Sequence, residues 1–297
     1  MPSFRRLHII VNPAAGPDRP VLSLLNTAFN TSNLEWDITL TKKAGDAKRL
    51  AQEAVQAGAD VVGVYGGDGT VMEAASGLVG ADVPLAIFPG GTANVFSIEL
   101  GLPRDPASAC QLVTGALPAT LRAVDLIQVA ERYYALRIGT GLESQMVAGA
   151  DRALKDLMGA LAYGVAAWQA LQEPRNERYT LTLDGQTVDS EGVACTIVNA
   201  SNLGAPGFYL APNVDTGDGW LDVFVLKRAD TAALWTWATT AATGNPDPTL
   251  LQRWRAREVT LRAEPSAVVQ GDGELIGHTP LTARVAPQAV RVLVPAR

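Results

Sequence analysis

Apolar and polar positions follow one rhythm along the first part of the chain and another along the rest, and the change falls near residue 120. In the first part, Leu7–Asn12, Trp36–Leu40, Val61–Tyr65 and Leu85–Phe88 read as strands. Between and after them, Val21–Phe29, Ala44–Ala57, Thr70–Val79, Ala93–Leu100 and Ala107–Thr114 carry apolar residues at helical spacing. Strands alternating with helices predict βαβ units and a doubly wound parallel sheet. After Pro118 the runs become strand-like: Leu126–Ala130, Tyr133–Ile138, Tyr179–Leu183, Val193–Asn199, Leu221–Leu226, Glu258–Arg262, Ala267–Gln270, Thr282–Val285 and Val290–Val294. Asp184-Gly185 and Asp272-Gly273 are hairpin-turn signals. The pattern predicts an α/β domain over residues 1–122 and an antiparallel β-sandwich domain over 123–297. Two helices, Asp151–Gln172 and Thr231–Thr243, interrupt the second.

Ligands of doubly wound sheets bind at the carboxyl ends of the strands. Three glycine-containing turns fall there: Asn12-Pro13-Ala14-Ala15-Gly16, Gly66-Gly67-Asp68-Gly69-Thr70 and Gly90-Gly91-Thr92-Ala93-Asn94; Thr41 marks a fourth strand end. Glycine lets the backbone approach a ligand closely, and the first turn of the following helix presents unpaired N–H groups to an anion. One such turn is ordinary topology. Three at one sheet edge predict a phosphate or nucleotide site. The spacing is neither that of a P-loop nor that of a Rossmann fingerprint. Asp68, an acid inside a phosphate loop, is hard to explain as structure alone.

Composition narrows the picture. The 297 residues suit two domains, and 47% hydrophobic content is ample for packed cores. A formal net charge of −6 argues against nonspecific nucleic-acid binding, which needs a basic face. Cys110 and Cys195 lack metal or redox spacing and read as buried reduced thiols, and two histidines, His8 and His278, exclude a histidine-rich metal centre. The N-terminus runs straight into a strand, so no signal peptide is expected. No apolar stretch is long enough to span a bilayer. The expected location is cytoplasmic.

The second domain offers fainter candidates. By spacing alone Asp272-Gly273-Glu274 is a surface hairpin, like Asp184-Gly185-Gln186. Asp215-Thr216-Gly217-Asp218-Gly219-Trp220 is either an acidic turn or an oxygen-ligand site for a divalent cation. The apolar and Trp-bearing helices around 151–172 and 231–243 suit core packing or a membrane interface.

Taken together and in order, Ile10–Gly16, Thr41 with Gly45-Asp46-Ala47, Gly66–Thr70 with Glu73, Pro89–Asn94 and Asp272-Gly273-Glu274 resemble the diacylglycerol kinase catalytic-domain family. Its soluble bacterial lipid kinases are distantly similar to NAD kinases. The resemblance covers nearly the whole chain. It implies an ATP- and Mg²⁺-dependent lipid kinase in which Asn12, Pro13, Ala14, Ala15, Gly16, Thr41, Gly66, Gly67, Asp68, Gly69, Thr70, Val71, Met72 and Thr92 contact ATP. Asp68 would act through Mg²⁺ or its water. Asp272 would accept the proton of the lipid hydroxyl, with Glu274 beside it. Asp215, Asp218 and the Trp220 carbonyl would hold a structural Mg²⁺. The implied partner is a lipid at a membrane surface, reached peripherally at the inner face, and a homodimer is compatible with the pattern. Diacylglycerol is the first acceptor. Sphingoid bases, ceramide-like lipids and phosphatidylglycerol stand behind it, followed by an NAD-kinase-like activity and a silent ATP or lipid sensor. Val95 departs from the family, where many relatives carry an acid at this position, and puts nucleotide affinity and subfamily in question.

Overall fold

A computed structural model describes residues 3–17, 19–30, 32–141, 144, 176–204, 209–211, 213–228 and 249–296. The helices predicted over 151–172 and 231–243 lie outside the described residues. The chain divides into two compact units, Met1–Asp125 with Asn202–Gly207 and Pro287–Arg297, and Leu126–Ser201 with Phe208–Ala286. The first unit takes back two later segments, which the sequence pattern does not reveal.

In the first unit the strands β1 (Arg6–Val11), β2 (Glu35–Leu40), β3 (Val61–Gly66) and β4 (Leu85–Pro89) form a parallel sheet in the order β2-β1-β3-β4. The chain moves to one side of β1 with β2 and to the other with β3. The switch point, where doubly wound sheets bind ligands, is therefore at β1 and β3. Helices α1 (Val21–Phe29), α2 (Asp46–Gln56), α3 (Asp68–Leu78), α4 (Val95–Glu99) and α5 (Pro106–Thr114) connect and cover the strands. β3 and β4 are buried along their whole lengths, as a sheet covered on both faces requires. Phe29 packs its ring 6.0 Å from both Trp36 and Phe88.

In the second unit two layers face each other across one apolar core. One layer contains β8 (Glu177–Leu183), β9 (Gln186–Gly192), β13 (Glu258–Glu264) and the start of β16 (Leu281–Pro295), paired antiparallel. The other is six-stranded, in the order β12-β11-β10-β7-β14-β15, from β7 (Arg137–Gly141), β10 (Ala194–Val198), β11 (Leu221–Leu226), β12 (Leu251–Ala256), β14 (Val268–Gly271) and β15 (Glu274–His278). Tyr179, Leu181, Ile197, Val223, Val259, Leu261 and Val269 are fully buried in the core they enclose. β5 (Ala119–Val129) and β6 (Arg132–Tyr134) pair with each other. The late part of β16 pairs in parallel with β4 through Val292 and Leu85. The predicted fold class, α/β followed by a β-sandwich, is the observed one.

Several boundaries differ for physical reasons. α3 begins at Asp68 and β3 runs to Gly66, so Asp68, Gly69 and Thr70 form the helix's first turn and only Gly67 lies between strand and helix. α2 begins at Asp46 because Gly45 is left-handed, with φ 87°. The single strand expected over 133–138 breaks into β6 and β7, and the two expected near the C-terminus are one strand, β16. Both cysteines are free and buried, and burial pushes the Cys110 thiol up to about 12. No described helix is long and apolar enough to cross a membrane.

Phe88 is fully buried against Phe29. Phe88→Ala is expected to cost about 3–5 kcal/mol in urea unfolding; a loss below about 1 kcal/mol would contradict this packing.

Candidate functional site

The three turns predicted at one sheet edge do meet, and they meet backbone to backbone. The N–H groups of Gly90 and Gly91 both donate to the Gly66 carbonyl, at 2.9 and 3.2 Å. A Cβ on Gly91 would stand 2.5 Å from the Gly67 Cα, and one on Gly16 would stand 1.9 Å from the Gly90 carbonyl oxygen. Gly16 is also left-handed, with φ 68°. No side chain fits at either seam, so both glycines are required by contact, and Gly16 by conformation as well.

Side chains bracket the seam. Asn12 donates from its amide to the Thr70 hydroxyl at 2.9 Å and accepts the Ala14 N–H at 3.0 Å. Asn94, left-handed at φ 50°, accepts from Gly91 N–H and donates back to the Gly91 carbonyl. Asp68 accepts the N–H groups of Val95 and Phe96, both at 3.0 Å. It therefore caps α4 while itself opening α3. Sequence reasoning could not see this bracket, because its two ends lie 27 and 28 residues apart. Val95 contributes its N–H to Asp68, a contact any non-proline residue can make.

The remaining predicted nucleotide residues fall around the same edge. Thr41 follows β2, and its N–H donates to the Val11 carbonyl at 2.9 Å. Pro13, Ala14, Gly16, Gly69 and Thr92 are exposed, whereas Val71 and Met72 turn into the core and leave only backbone within reach of a ligand. Glu73 accepts the N–H groups of Gly45 and Ala47, fixing the start of α2. With Val71 N–H bonded to the Gly67 carbonyl, the N–H groups of Asp68, Gly69 and Thr70 open the helix without intrahelical partners. An anion such as a phosphate fits there.

The second unit holds the other predicted catalytic group. Asp272 sits left-handed at φ 47° in the β14–β15 turn, followed by Gly273. Its partly buried carboxylate accepts three backbone N–H bonds, from Ala135 at 2.7 Å, Leu136 at 3.0 Å and Arg137 at 2.9 Å. Those bonds separate β6 from β7. Burial pushes the Asp272 carboxyl up to about 6, against the downward pull of the three N–H groups and of Arg137. Glu274 is exposed at the start of β15. Tyr134, which the sequence pattern does not single out, packs its ring on Gly271, and burial raises its hydroxyl.

The other hairpin is a structural twin. Asp184 has φ 48° and a glycine after it. Its carboxylate accepts from Arg257 N–H at 3.0 and 3.1 Å and from Glu258 N–H at 2.8 Å. Both acids clamp the start of a neighbouring strand. They differ in setting, since Asp184 is exposed and Asp272 is partly buried beside Tyr134.

The turn expected to hold a structural Mg²⁺ is compensated by protein groups. Asp215 accepts Gly217 N–H, and Asp218 accepts Trp220 N–H at 3.0 Å. The second oxygen of Asp218 pairs with the Arg255 guanidinium, and buried Asp222 pairs with Arg253 at 2.7 Å. Arg255 and Arg257 also lie over the Trp220 ring, 5.6 and 4.8 Å from its centroid. Among the described residues no three His, Cys, Asp or Glu groups converge as metal ligands. A cation held through Asp218 would have to share or displace Arg255, and the buried Thr216 hydroxyl in the same turn is unpartnered among the described residues.

The architecture is a doubly wound unit with a glycine-built seam followed in the chain by a β-sandwich, and comparison with known proteins specifies its family. Residues 6–129 match the diacylglycerol kinase catalytic domain, and residues 137–294 match the YegS C-terminal NAD kinase beta sandwich-like domain. A diacylglycerol kinase of Bacillus subtilis (strain 168) is 28% identical over 93% of this chain and 92% of its own length. A protein of Pseudomonas fluorescens (strain Pf-5) named "Probable lipid kinase YegS-like" is 34% identical over 88% of this chain and 86% of its own. A crystal structure of a diacylglycerol kinase from Bacillus anthracis str. Sterne superposes with a TM-score of 0.80 at 27% identity, covering 100% of this chain and 99% of that one. The chain belongs to the diacylglycerol kinase catalytic-domain family, in its lipid kinase branch.

Two expectations follow. Asp184→Asn and Asp272→Asn should each lose about 1–3 kcal/mol in denaturant unfolding, because an amide N–H₂ then faces a backbone donor; wild-type stability in both would contradict the clamps. Mg²⁺ without nucleotide should leave the thermal midpoint of the wild type unchanged, and Arg255→Gln should make that midpoint respond to Mg²⁺. A strong Mg²⁺ response in the wild type would show that a cation displaces Arg255.

Proposed function

We propose that the protein is an ATP- and Mg²⁺-dependent kinase that phosphorylates a lipid hydroxyl, with diacylglycerol as acceptor and phosphatidic acid as product. The observation that carries the nucleotide half is the backbone seam of the three turns at the switch point. It leaves free N–H groups at the start of α3 and excludes side chains that would keep a polyphosphate at a distance. The lipid half is supported by the names of the relatives, which describe lipid and diacylglycerol kinases.

Phosphoryl transfer asks little covalent chemistry of a protein. It asks for a held triphosphate, neutralised charge and a group that positions the attacking oxygen. Mg²⁺ bound with the nucleotide would supply charge neutralisation. Asp68 suits it, because each of its oxygens keeps a lone pair after accepting one N–H. The acceptor oxygen attacks the γ-phosphorus, the bond to the β–γ bridging oxygen breaks, and ADP leaves. The hydroxyl proton passes to Asp272. A carboxylate offers about four lone-pair directions, and the backbone takes three at Asp272. The fourth is left for the hydroxyl, on a group that cannot swing away. Its raised proton affinity brings it nearer to the task of a general base than an ordinary carboxylate.

Only the ionised carboxylate accepts a proton, so turnover should rise with pH through about 6. Stability should move the other way. The folded state holds a proton on Asp272 up to a higher pH than the unfolded chain does, so this group weakens the fold as pH rises from the ordinary carboxylate range through about 6. Labelled ATP incubated with vesicles of single lipids should place label in phosphatidic acid when diacylglycerol is present. Transfer to a soluble nucleotide without vesicles, or binding of ATP with no transfer to any lipid, would overturn the proposal. Asp272→Asn should abolish transfer and its acidic limb near pH 6, whereas Asp184→Asn, with the same clamp broken, should keep both. Equal activity in the two variants would remove Asp272 from the mechanism.

A further inference from the structure

Tyr65 is the penultimate residue of β3, followed by Gly66 and Gly67. Its backbone carbonyl accepts Asn12 N–H at 2.9 Å, so it stands between the first and second turns of the seam. Its ring reaches the third, because a Cβ on Gly90 would stand 2.7 Å from both Cε1 and Cζ, the carbon that bears the hydroxyl. The residue is 1% exposed, and its hydroxyl is buried with no hydrogen-bond partner among the described residues. Buried hydroxyls are nearly always partnered, and leaving one unmade costs free energy. Phenylalanine would fill the same space without that cost. A partner for the hydroxyl would have to come with a different arrangement of the seam, in which the Gly90 turn packed on the ring shifts.

We propose that Tyr65 is a positioning residue for a nucleoside triphosphate: its hydroxyl forms a hydrogen bond only when the triphosphate occupies the cradle, and so favours the turn arrangement that holds it. The proposal deepens the nucleotide reading above and rests on it. It assigns no chemical step to Tyr65. The hydroxyl acts on binding, through the Gly90 turn that its ring supports.

The test is Tyr65→Phe, followed by thermal unfolding with and without a non-hydrolysable ATP analogue and Mg²⁺, and by calorimetric titration with the same analogue. Without nucleotide the variant should unfold at the wild-type midpoint or above it, because the deleted hydroxyl has no partner to lose. With nucleotide its stabilisation should be smaller and its dissociation constant about 3–10-fold weaker, the worth of one hydrogen bond. In steady state the KM for ATP should rise by a similar factor with kcat unchanged, the mark of an interaction present before and during transfer. A midpoint that falls without nucleotide would show a structural hydroxyl and overturn the proposal, as would equal affinity in the two proteins. If the wild type itself neither binds the analogue nor gains stability from it, the nucleotide reading fails and this inference fails with it. Equal binding by both proteins removes Tyr65 alone.

Discussion

The first unit is organised by one close approach, the contact of peptide backbone on peptide backbone where the turns after β1, β3 and β4 meet. A single methyl group at Gly16 or Gly91 would collide with a neighbouring main chain. The contact requires glycine on both sides, a carbonyl shared by two N–H donors, and brackets that resist separation. Asn12, Asn94 and Asp68 are those brackets, each reaching from a turn to another turn or back onto its own. The result is a surface of main-chain donors at the start of α3, placed by geometry rather than by cationic side chains. Under the proposed function, this is how a chain with an excess of acids would present an anion site.

The acids have a recurring use. Asp46 accepts the N–H groups of Lys42 and Lys43, Asp105 caps α5 through Ser108, and Asp125 accepts the N–H of left-handed Gln288. Asp68, Asp184 and Asp272 do the same at longer range. In each case a carboxylate fixes backbone N–H groups, within its own turn at Asp46 and Asp105 and across the fold at the others. The two acids assigned to catalysis are thus members of a structural set. Asp272 differs from its exposed twin Asp184 by its burial, which raises its proton affinity, and by the lone-pair direction its clamp leaves free.

Much of this was legible in the sequence where interactions are local. The strand–helix alternation of the first unit, the three turns and their common edge follow from periodicity, and ordered motifs identify the family. What was not legible depends on distant partners. β12 reads poorly as a strand because Arg253 and Arg255 occupy alternate positions, and their charge is met by Asp222 on β11. β9, with the sequence QTVDSEG, has too few apolar positions to show an alternation. The break between β6 and β7 is made by Asp272, some 135 residues away. β16 passes through Pro287 and Gln288 as one strand, with Asp125 holding the bend. The pairing of Asp218 with Arg255, 37 residues away, is likewise invisible in the turn's own sequence.

The claim on which the account rests is that the backbone seam makes the nucleotide site. Gly91→Ala tests it directly, because the added methyl would press on the Gly67 Cα while leaving every polar group in place. Calorimetric titration with a non-hydrolysable ATP analogue and Mg²⁺ should show at least about a tenfold loss of affinity, or about 1.4 kcal/mol, in a variant whose circular dichroism remains that of the folded protein. Wild-type affinity in that folded variant would contradict the account.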